Sequence, residues 1–208
     1  MKIRILAFAL VLGMAHLSAQ SIKPLYQLPE VSTSQEKDNS QLLVGADKGM
    51  YKITSSNNAL PLWTDGRVDQ IVHIENKNEI SEAWILRTTK GVIYSTDLKT
   101  FEERNNGLPF LTVKKYDGEN VWTEKQIDTL EDIFVNPLNQ NEIVVATKKQ
   151  VYISKDMGLS WKALGSISMI TPGIKAVAVT NIDNRSVVFM SHTLLGFSYC
   201  FHDDANIM

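Results

Sequence analysis

Ser154-Lys155-Asp156-Met157-Gly158-Leu159-Ser160-Trp161 follows directly on an alternating run, Gln150-Val151-Tyr152-Ile153. The pattern is Ser-x-Asp-x-Gly-x-x-Trp, and each fixed position has a physical reason. After a strand, Ser154 and Asp156 can turn side-chain oxygens onto backbone N–H groups of the following turn. Gly158 supplies the positive φ of a tight hairpin. Trp161 starts the returning strand and can bury a large ring against a neighbouring sheet. The octamer predicts a hairpin staple, with Asp156 as a structural acceptor rather than a catalytic acid or metal ligand.

Repetition gives this short signal its weight. Four stretches of the chain lie over one another: Leu42–Ile53 (LLVGADKGMYKI), Trp84–Tyr94 (WILRTTKGVIY), Val144–Ile153 (VVATKKQVYI) and Val187–Tyr199 (VVFMSHTLLGFSY). Each is an apolar strand, a short polar turn centred on Gly or Lys, and a second strand bearing Tyr. Tyr51, Tyr94, Tyr152 and Tyr199 recur at intervals of 43, 58 and 47 residues, close to the roughly 40–50 residues of a propeller blade. Only the third copy has the full octamer. The second keeps Ser95 and Asp97, is one residue shorter without its Gly, and has Phe101 where Trp would stand. The first and fourth have no such loop, although Trp63 can do the aromatic work in the first. Alternation and Gly, Asn-Asn, Asp-Gly and Asn-Pro breaks dominate after residue 20, and helical periodicity is nearly absent.

This octamer resembles the Asp-box of sialidase-type (BNR-repeat) β-propellers. In that superfamily an inner strand opens each blade as apolar-x-apolar-Asp/Asn-Pro. Asp132-Ile133-Phe134-Val135-Asn136-Pro137 fits that opening, and Lys175 to Thr180 starts the fourth unit in the same way. The resemblance covers roughly residues 41–201. It implies an all-β chain with about four blade-like repeats, and it puts the Asp-box on the blade periphery, away from a central ligand site. On this reading Ser154, Asp156, Gly158, Trp161, Ser95, Asp97 and Phe101 serve the fold. The last unit stops after its third strand. That fits a truncated product, a small open or four-bladed ring, or a ring closed by pairing with another copy.

The expected organisation is a leader (1–19), a polar lead-in (20–40) and the repeats (41–208), with an insertion at 111–129. Lys2 and Arg4 precede an uncharged apolar run, Ile5 to Ala15, and then His16-Leu17-Ser18-Ala19. That three-part pattern is a secretory signal, and its apolar run is too short to span a bilayer. No further transmembrane segment is expected, and the mature chain is expected in the periplasm or outside the cell. Cleavage removes two cations and no acid, taking the formal charge from −2 to −4. Without a basic surplus, nucleic acid is not an expected partner. Charged residues at 21% and hydrophobic ones at 44% are ordinary for a folded domain. Cys200 stands alone, so stability must come from packing rather than an internal disulfide. It lies in an apolar run and reads as a small buried side chain.

Catalytic patterns are sparse. A sialidase-like site needs three arginines on a carboxylate, and the mature chain has only Arg67, Arg87, Arg104 and Arg185. The Phe/Tyr-Arg-Ile-Pro opening of that site is missing. His16, His73, His192 and His202 show no metal-ligand spacing, and there is no Gly-rich phosphate loop or nucleophile elbow. No cofactor, metal or catalytic residue is assigned. The insertion, with Asp117-Gly118 as its turn, is the natural place for contacts. Lys114, Lys115, Tyr116 and Trp122 are the expected binding residues, against the alternative of a passive surface excursion. The resemblance implies a non-catalytic binding or assembly module for protein or peptide partners, like the propellers of sortilin-type receptors and the photosystem II assembly factor. The alternative is a glycan-binding or glycoside-hydrolysing relative, degenerate or truncated.

Overall fold

In the computed structural model, residues 26–27, 42–54, 58–76, 81–166, 173–193 and 196–202 are described. The expected leader, most of the lead-in and Asp203-Asp204 lie outside them. All regular structure among these residues is β, in small antiparallel sheets. Sheet I holds β1 (Tyr26–Gln27), β2 (Leu42–Ala46), β3 (Gly49–Ile53) and β4 (Ala59–Trp63). Sheet II holds β5 (Val68–Asn76), β6 (Ser81–Thr88), β7 (Gly91–Ser95) and β8 (Glu102–Glu103). A separate two-stranded ribbon follows, β9 (Phe110–Asp117) and β10 (Asn120–Ile127). Sheet III holds β11 (Leu130–Val135), β12 (Ile143–Thr147), β13 (Gln150–Ser154) and β14 (Lys162–Ser166). Sheet IV has β15 (Ile174–Ile182), β16 (Arg185–His192) and β17 (Gly196–Phe201). Within every sheet neighbouring strands are consecutive in the chain, so each is a simple meander.

The sheets pack in chain order through three cores. Leu43 and Met50 of sheet I meet Val68, Ile71, Trp84, Leu86 and Ile93 of sheet II. Ile74, Ala83, Ile85 and Val92 on the other face of sheet II meet Ile133, Ile143 and Val145 of sheet III. Val144, Ala146, Val151 and Ile153 then meet Val177, Val179, Val188 and Met190 of sheet IV. Side chains alternate across a strand, so β6 sends Trp84 and Leu86 one way and Ala83 and Ile85 the other. A strand covered on both faces must be apolar at every position, which is why Ile143-Val144-Val145-Ala146 reads as a continuous run. Each such Leu, Ile or Val contributes about 1.5–3 kcal/mol by burial. Cys200 is buried in the core between sheets III and IV.

The octamer forms the β13–β14 connection. Ser154 Oγ donates to Asp156 Oδ1 (2.6 Å) and accepts the Gly158 N–H (2.8 Å). The Asp156 carboxyl accepts the Ser160 N–H (2.9 Å) and hydroxyl (2.5 Å). Met157 and Gly158 have φ of +55° and +87°. A Cβ on Gly158 would also stand 3.3 Å from the Trp161 ring. That ring is buried beside Ile85 and Val92 of sheet II, and its Nε1–H donates to the Arg104 carbonyl (2.8 Å). The staple therefore joins two sheets as well as closing a turn.

The shorter loop after β7 repeats the geometry. Ser95 Oγ accepts the Leu98 N–H (2.9 Å), and Asp97 accepts the N–H groups of Lys99 (2.8 Å) and Thr100 (2.7 Å). Leu98, with φ of +56°, takes the left-handed position without a glycine. Phe101 packs on the core between sheets I and II, as Trp63 does.

These loops set an acid limb. Backbone N–H groups of Thr100 and Lys99 hold Asp97 below its ordinary value of 3.8. Desolvation pushes Asp156 up, but hydrogen bonds from Ser154 and Ser160 outweigh it and leave it below 3.8. A carboxyl depressed in the fold contributes stability above its unfolded pKa and loses it as pH falls through the folded one. Asp156→Asn should therefore be less stable than the wild type at neutral pH, with the gap closing below the ordinary carboxylate range. Urea midpoints measured across that range check this, and a gap that stays constant into acid contradicts it.

Candidate functional site

Among the described residues, the ribbon strands β9 and β10 are exposed at most of their positions, away from the stacked cores. Asp117 pairs Asn120, and pairing runs without a break to Phe110 opposite Ile127. The turn centres on Gly118-Glu119 rather than on Asp117-Gly118. Gly118 has φ of +58°, which suits the first central position of a type II′ hairpin. At the base, the Asp128 N–H donates to the Pro109 carbonyl (2.9 Å), closing the two ends where they leave the core. Leu108, Ile127 and Leu130 anchor that base in the core between sheets II and III.

Pairing sorts the four expected contact residues into two pairs. Lys114 and Tyr116 share one face with Thr112, Val121 and Thr123, while Lys115 lies opposite Trp122 on the other face beside Leu111, Val113 and Glu124. Tyr116 is 69% exposed and Trp122 47%, and Phe110, Leu111 and Val121 are exposed as well. Lys115 stands 3.9 Å from Glu124, an exposed pair of little energetic weight. Both faces thus combine large apolar side chains with a lysine.

A second cluster lies where the inner strands begin. Strands β5, β11 and β15 each carry a register shift, between Val68 and Gln70, Leu130 and Asp132, and Ile174 and Ala176. The residue after the shift reaches the next sheet. Gln70 Nε2 donates to the Ile133 carbonyl (2.9 Å), and Asp132 Oδ2 accepts the Val177 N–H (2.9 Å). At the third such position stands Ala176, which has no group to continue the series.

The residues within the shifts carry charge. Asp69 pairs with Arg67 (2.8 Å) and lies 3.9 Å from Arg87, and Glu131 pairs with Lys175 (3.1 Å) and Lys148 (3.9 Å). Arg87 donates to Gln70 Oε1 (3.2 Å) and to the Leu130 carbonyl (2.6 Å), so it cross-links sheets II and III. Burial pushes the Asp132 carboxyl up, partly offset by the N–H groups of Val177 and Ile133. A carboxyl raised by burial is a common mark of a functional site, yet Asp132 accepts backbone bonds from two sheets and is explained as a link.

The other arginines have different partners. Arg104 lies over the Tyr94 ring (3.3 Å), pairs with Glu102 (3.0 Å) and donates to the Met157 carbonyl (2.7 Å). Arg185 lies over Phe201 (4.1 Å). His73 stacks on Trp84 (5.1 Å), and His192 Nε2 is 2.6 Å from Ser198 Oγ. Among the described residues no group of three or more His, Cys, Asp or Glu is placed to hold a metal ion.

Sequence reading missed two polar devices. Glu142, 1% exposed, accepts from Asn136 Nδ2 (2.5 Å) and Ser186 Oγ (2.6 Å), and Asn136 also donates to Asn181 Oδ1 (2.7 Å). This cluster ties sheet III to sheet IV. The Arg104–Tyr94–Met157 contact ties sheet II to the octamer. Three alignable triplets, Val68-Asp69-Gln70, Leu130-Glu131-Asp132 and Ile174-Lys175-Ala176, mark where the inner strands begin, but not which sheet Gln70 and Asp132 bond. Glu142 gave no signal, because its burial depends on strands more than forty residues apart.

The chain matches no protein-family model, and none of the curated proteins matches it. Among solved structures it is similar to an ancestral GH74 enzyme, at 13% identity and a TM-score of 0.39, over 81% of this chain and 29% of that one. It is also similar to the GH74 enzyme of Niastella koreensis, at 14% identity and a TM-score of 0.36, over 81% of this chain and 36% of that one. The chain spans about a third of the length of either. Likeness at this level transfers neither activity nor substrate to this chain.

Proposed function

We propose that the chain is a run of consecutive Asp-box propeller blades that acts outside the cytoplasm as a non-catalytic binding module, with the β9–β10 ribbon as its contact surface. The observation that carries this reading is the contrast between the ribbon and everything around it. Elsewhere the polar groups of interest are engaged between sheets: Arg87, Gln70 and Asp132 link inner strands, and Asp156 and Asp97 hold turns. On the ribbon, aromatic and lysine side chains face solvent on both sides. Exposed aromatics beside polar groups are the composition of interface hot spots. A protein or peptide partner fits better than a glycan, because Tyr116 and Trp122 lie on opposite faces and do not form one stacking platform. The propeller assignment is supported by the serial meanders and the two Ser/Asp loops, and export by Lys2, Arg4 and the apolar run behind them.

Photo-crosslinking residues placed at positions 116 and 122, in the cells that make the protein, test this reading. A discrete protein adduct from the ribbon, absent from a control at Leu138, which is also exposed, is the expected result. Trp122→Ala and Tyr116→Ala should weaken capture roughly tenfold each, as a hot-spot truncation does. Folding stability should stay within about 0.5 kcal/mol. An equal smear of adducts from all three positions contradicts a specific contact.

A further inference from the structure

Register sorts the charges of the ribbon by face, as it does the aromatics. On the face of Tyr116 the pairs from base to tip are Phe110–Ile127, Thr112–Lys125, Lys114–Thr123 and Tyr116–Val121. Lys114 and Lys125 are the only charged residues there, and they are diagonal neighbours roughly 7–8 Å apart. Neither makes an ion pair among the described residues. The other face holds Lys115, Glu124 and Asp117, and its lysine has an acid beside it, Glu124 at 3.9 Å. Cover differs as well. Every residue of the Tyr116 face except Ile127 at the base is exposed, whereas Val113 and Lys115 of the other face are half-buried.

Two cations without a counter-charge, framed by apolar side chains, have the chemistry to recognise carboxylates. We infer that the Tyr116 face of the ribbon takes an extended, acidic segment of a protein partner. Its carboxylates meet Lys114 and Lys125, and its apolar side chains meet Tyr116, Val121 and Phe110. This rests on the ribbon being the contact surface, and it adds which face is read and what that face reads. Side chains at alternate positions of an extended chain stand about 6.5–7 Å apart, close to the separation of the two lysines. Acidic residues at i and i+2 therefore reach both. A long polyanion fits this face poorly. Nucleic acid and anionic membranes are held by broad basic surfaces. Here the tip just beyond Tyr116 carries exposed Asp117 and Glu119, and the whole chain has a formal charge of −2. A short acidic peptide meets the lysines and stops before those acids.

A displayed library of random peptides, panned on the purified protein, tests this without the natural partner. The wild type should enrich peptides with acidic residues at alternate positions, flanked by apolar ones. Lys114→Gln combined with Lys125→Gln should abolish that enrichment and weaken binding of a selected peptide about tenfold or more. Both side chains are exposed, so the unfolding midpoint should stay close to that of the wild type. Lys155→Gln, at an exposed lysine of the octamer, should change neither binding nor midpoint. Raising salt from about 0.1 M to about 1 M shortens the screening length from about 10 Å to about 3 Å, and should weaken the same binding. No enrichment, enrichment of peptides without acids, or enrichment that survives the double variant overturns the inference. Loss through Lys115→Gln instead, on the other face, overturns it too. Tighter binding of an oligonucleotide or of phosphatidylserine vesicles than of the selected peptides would assign the face to another class of anion and overturn it as well. Panning needs no cellular partner, and adducts from positions 116 and 122 need no acidic peptide, so this inference and the ribbon reading fail separately.

Discussion

Trp161→Ala should destabilise the protein by about 3–5 kcal/mol, the range for truncating a large buried aromatic. Trp161 is 4% exposed, and it packs with residues of both sheet II and sheet III. Truncation opens a cavity between two sheets that pack in series. It also leaves the Arg104 carbonyl without the indole N–H that bonds it at 2.8 Å. The backbone bond from the Trp161 N–H to the Asn106 carbonyl (2.9 Å) survives, so the hairpin itself should persist. Chemical denaturation gives the number directly. A loss within the surface range of about 0.5 kcal/mol would mean that the ring does not hold the sheets together.

Glu142→Ala is expected to rank next, at about 2–4 kcal/mol. The carboxyl oxygens accept from Asn136 Nδ2 and Ser186 Oγ inside a buried cluster. Alanine leaves both donors without that acceptor, at about 1–3 kcal/mol each. Return of the carboxyl's own desolvation cost offsets part of this. Ser186 lies on β16 and Glu142 beside β12, so the loss should appear as weaker docking of sheet IV on sheet III. Hydrogen exchange in β15 and β16 should then rise more than in β6. A uniform rise across all sheets would contradict a local role for Glu142.

Much of the architecture could be read from residues close together in sequence. Val144-Ile153 and Trp84-Tyr94 declared two strands and a turn, because alternation and β-branched runs are local signals. The octamer declared its hydrogen bonds for the same reason: Ser154, Asp156, Gly158 and Ser160 meet within one turn. The insertion was found by its interval, and Asp117-Gly118 lies one residue from the observed turn centre. What was not legible joins strands far apart. Gln70 bonds Ile133, Asp132 bonds Val177 and Arg104 bonds Met157, each across more than forty residues. A glutamine or arginine on a strand carries no sign of which sheet will lie beside it. The opposition of Tyr116 and Trp122 was hidden too, since a one-residue change of register exchanges the faces of a ribbon.

The central claim is that the stacked sheets are the scaffold and the ribbon is the contact surface. Shortening the ribbon tests it most directly, by deleting residues 111–126 and joining Phe110 to Ile127 through an Asn-Gly turn. The Pro109–Asp128 hydrogen bond already closes the base of the ribbon, and Ile127 remains in its core. The expected result is cooperative unfolding with a midpoint close to that of the wild type, together with loss of capture of the partner cross-linked from positions 116 and 122. A shortened protein that no longer unfolds cooperatively, or one that still captures the partner, would contradict the account.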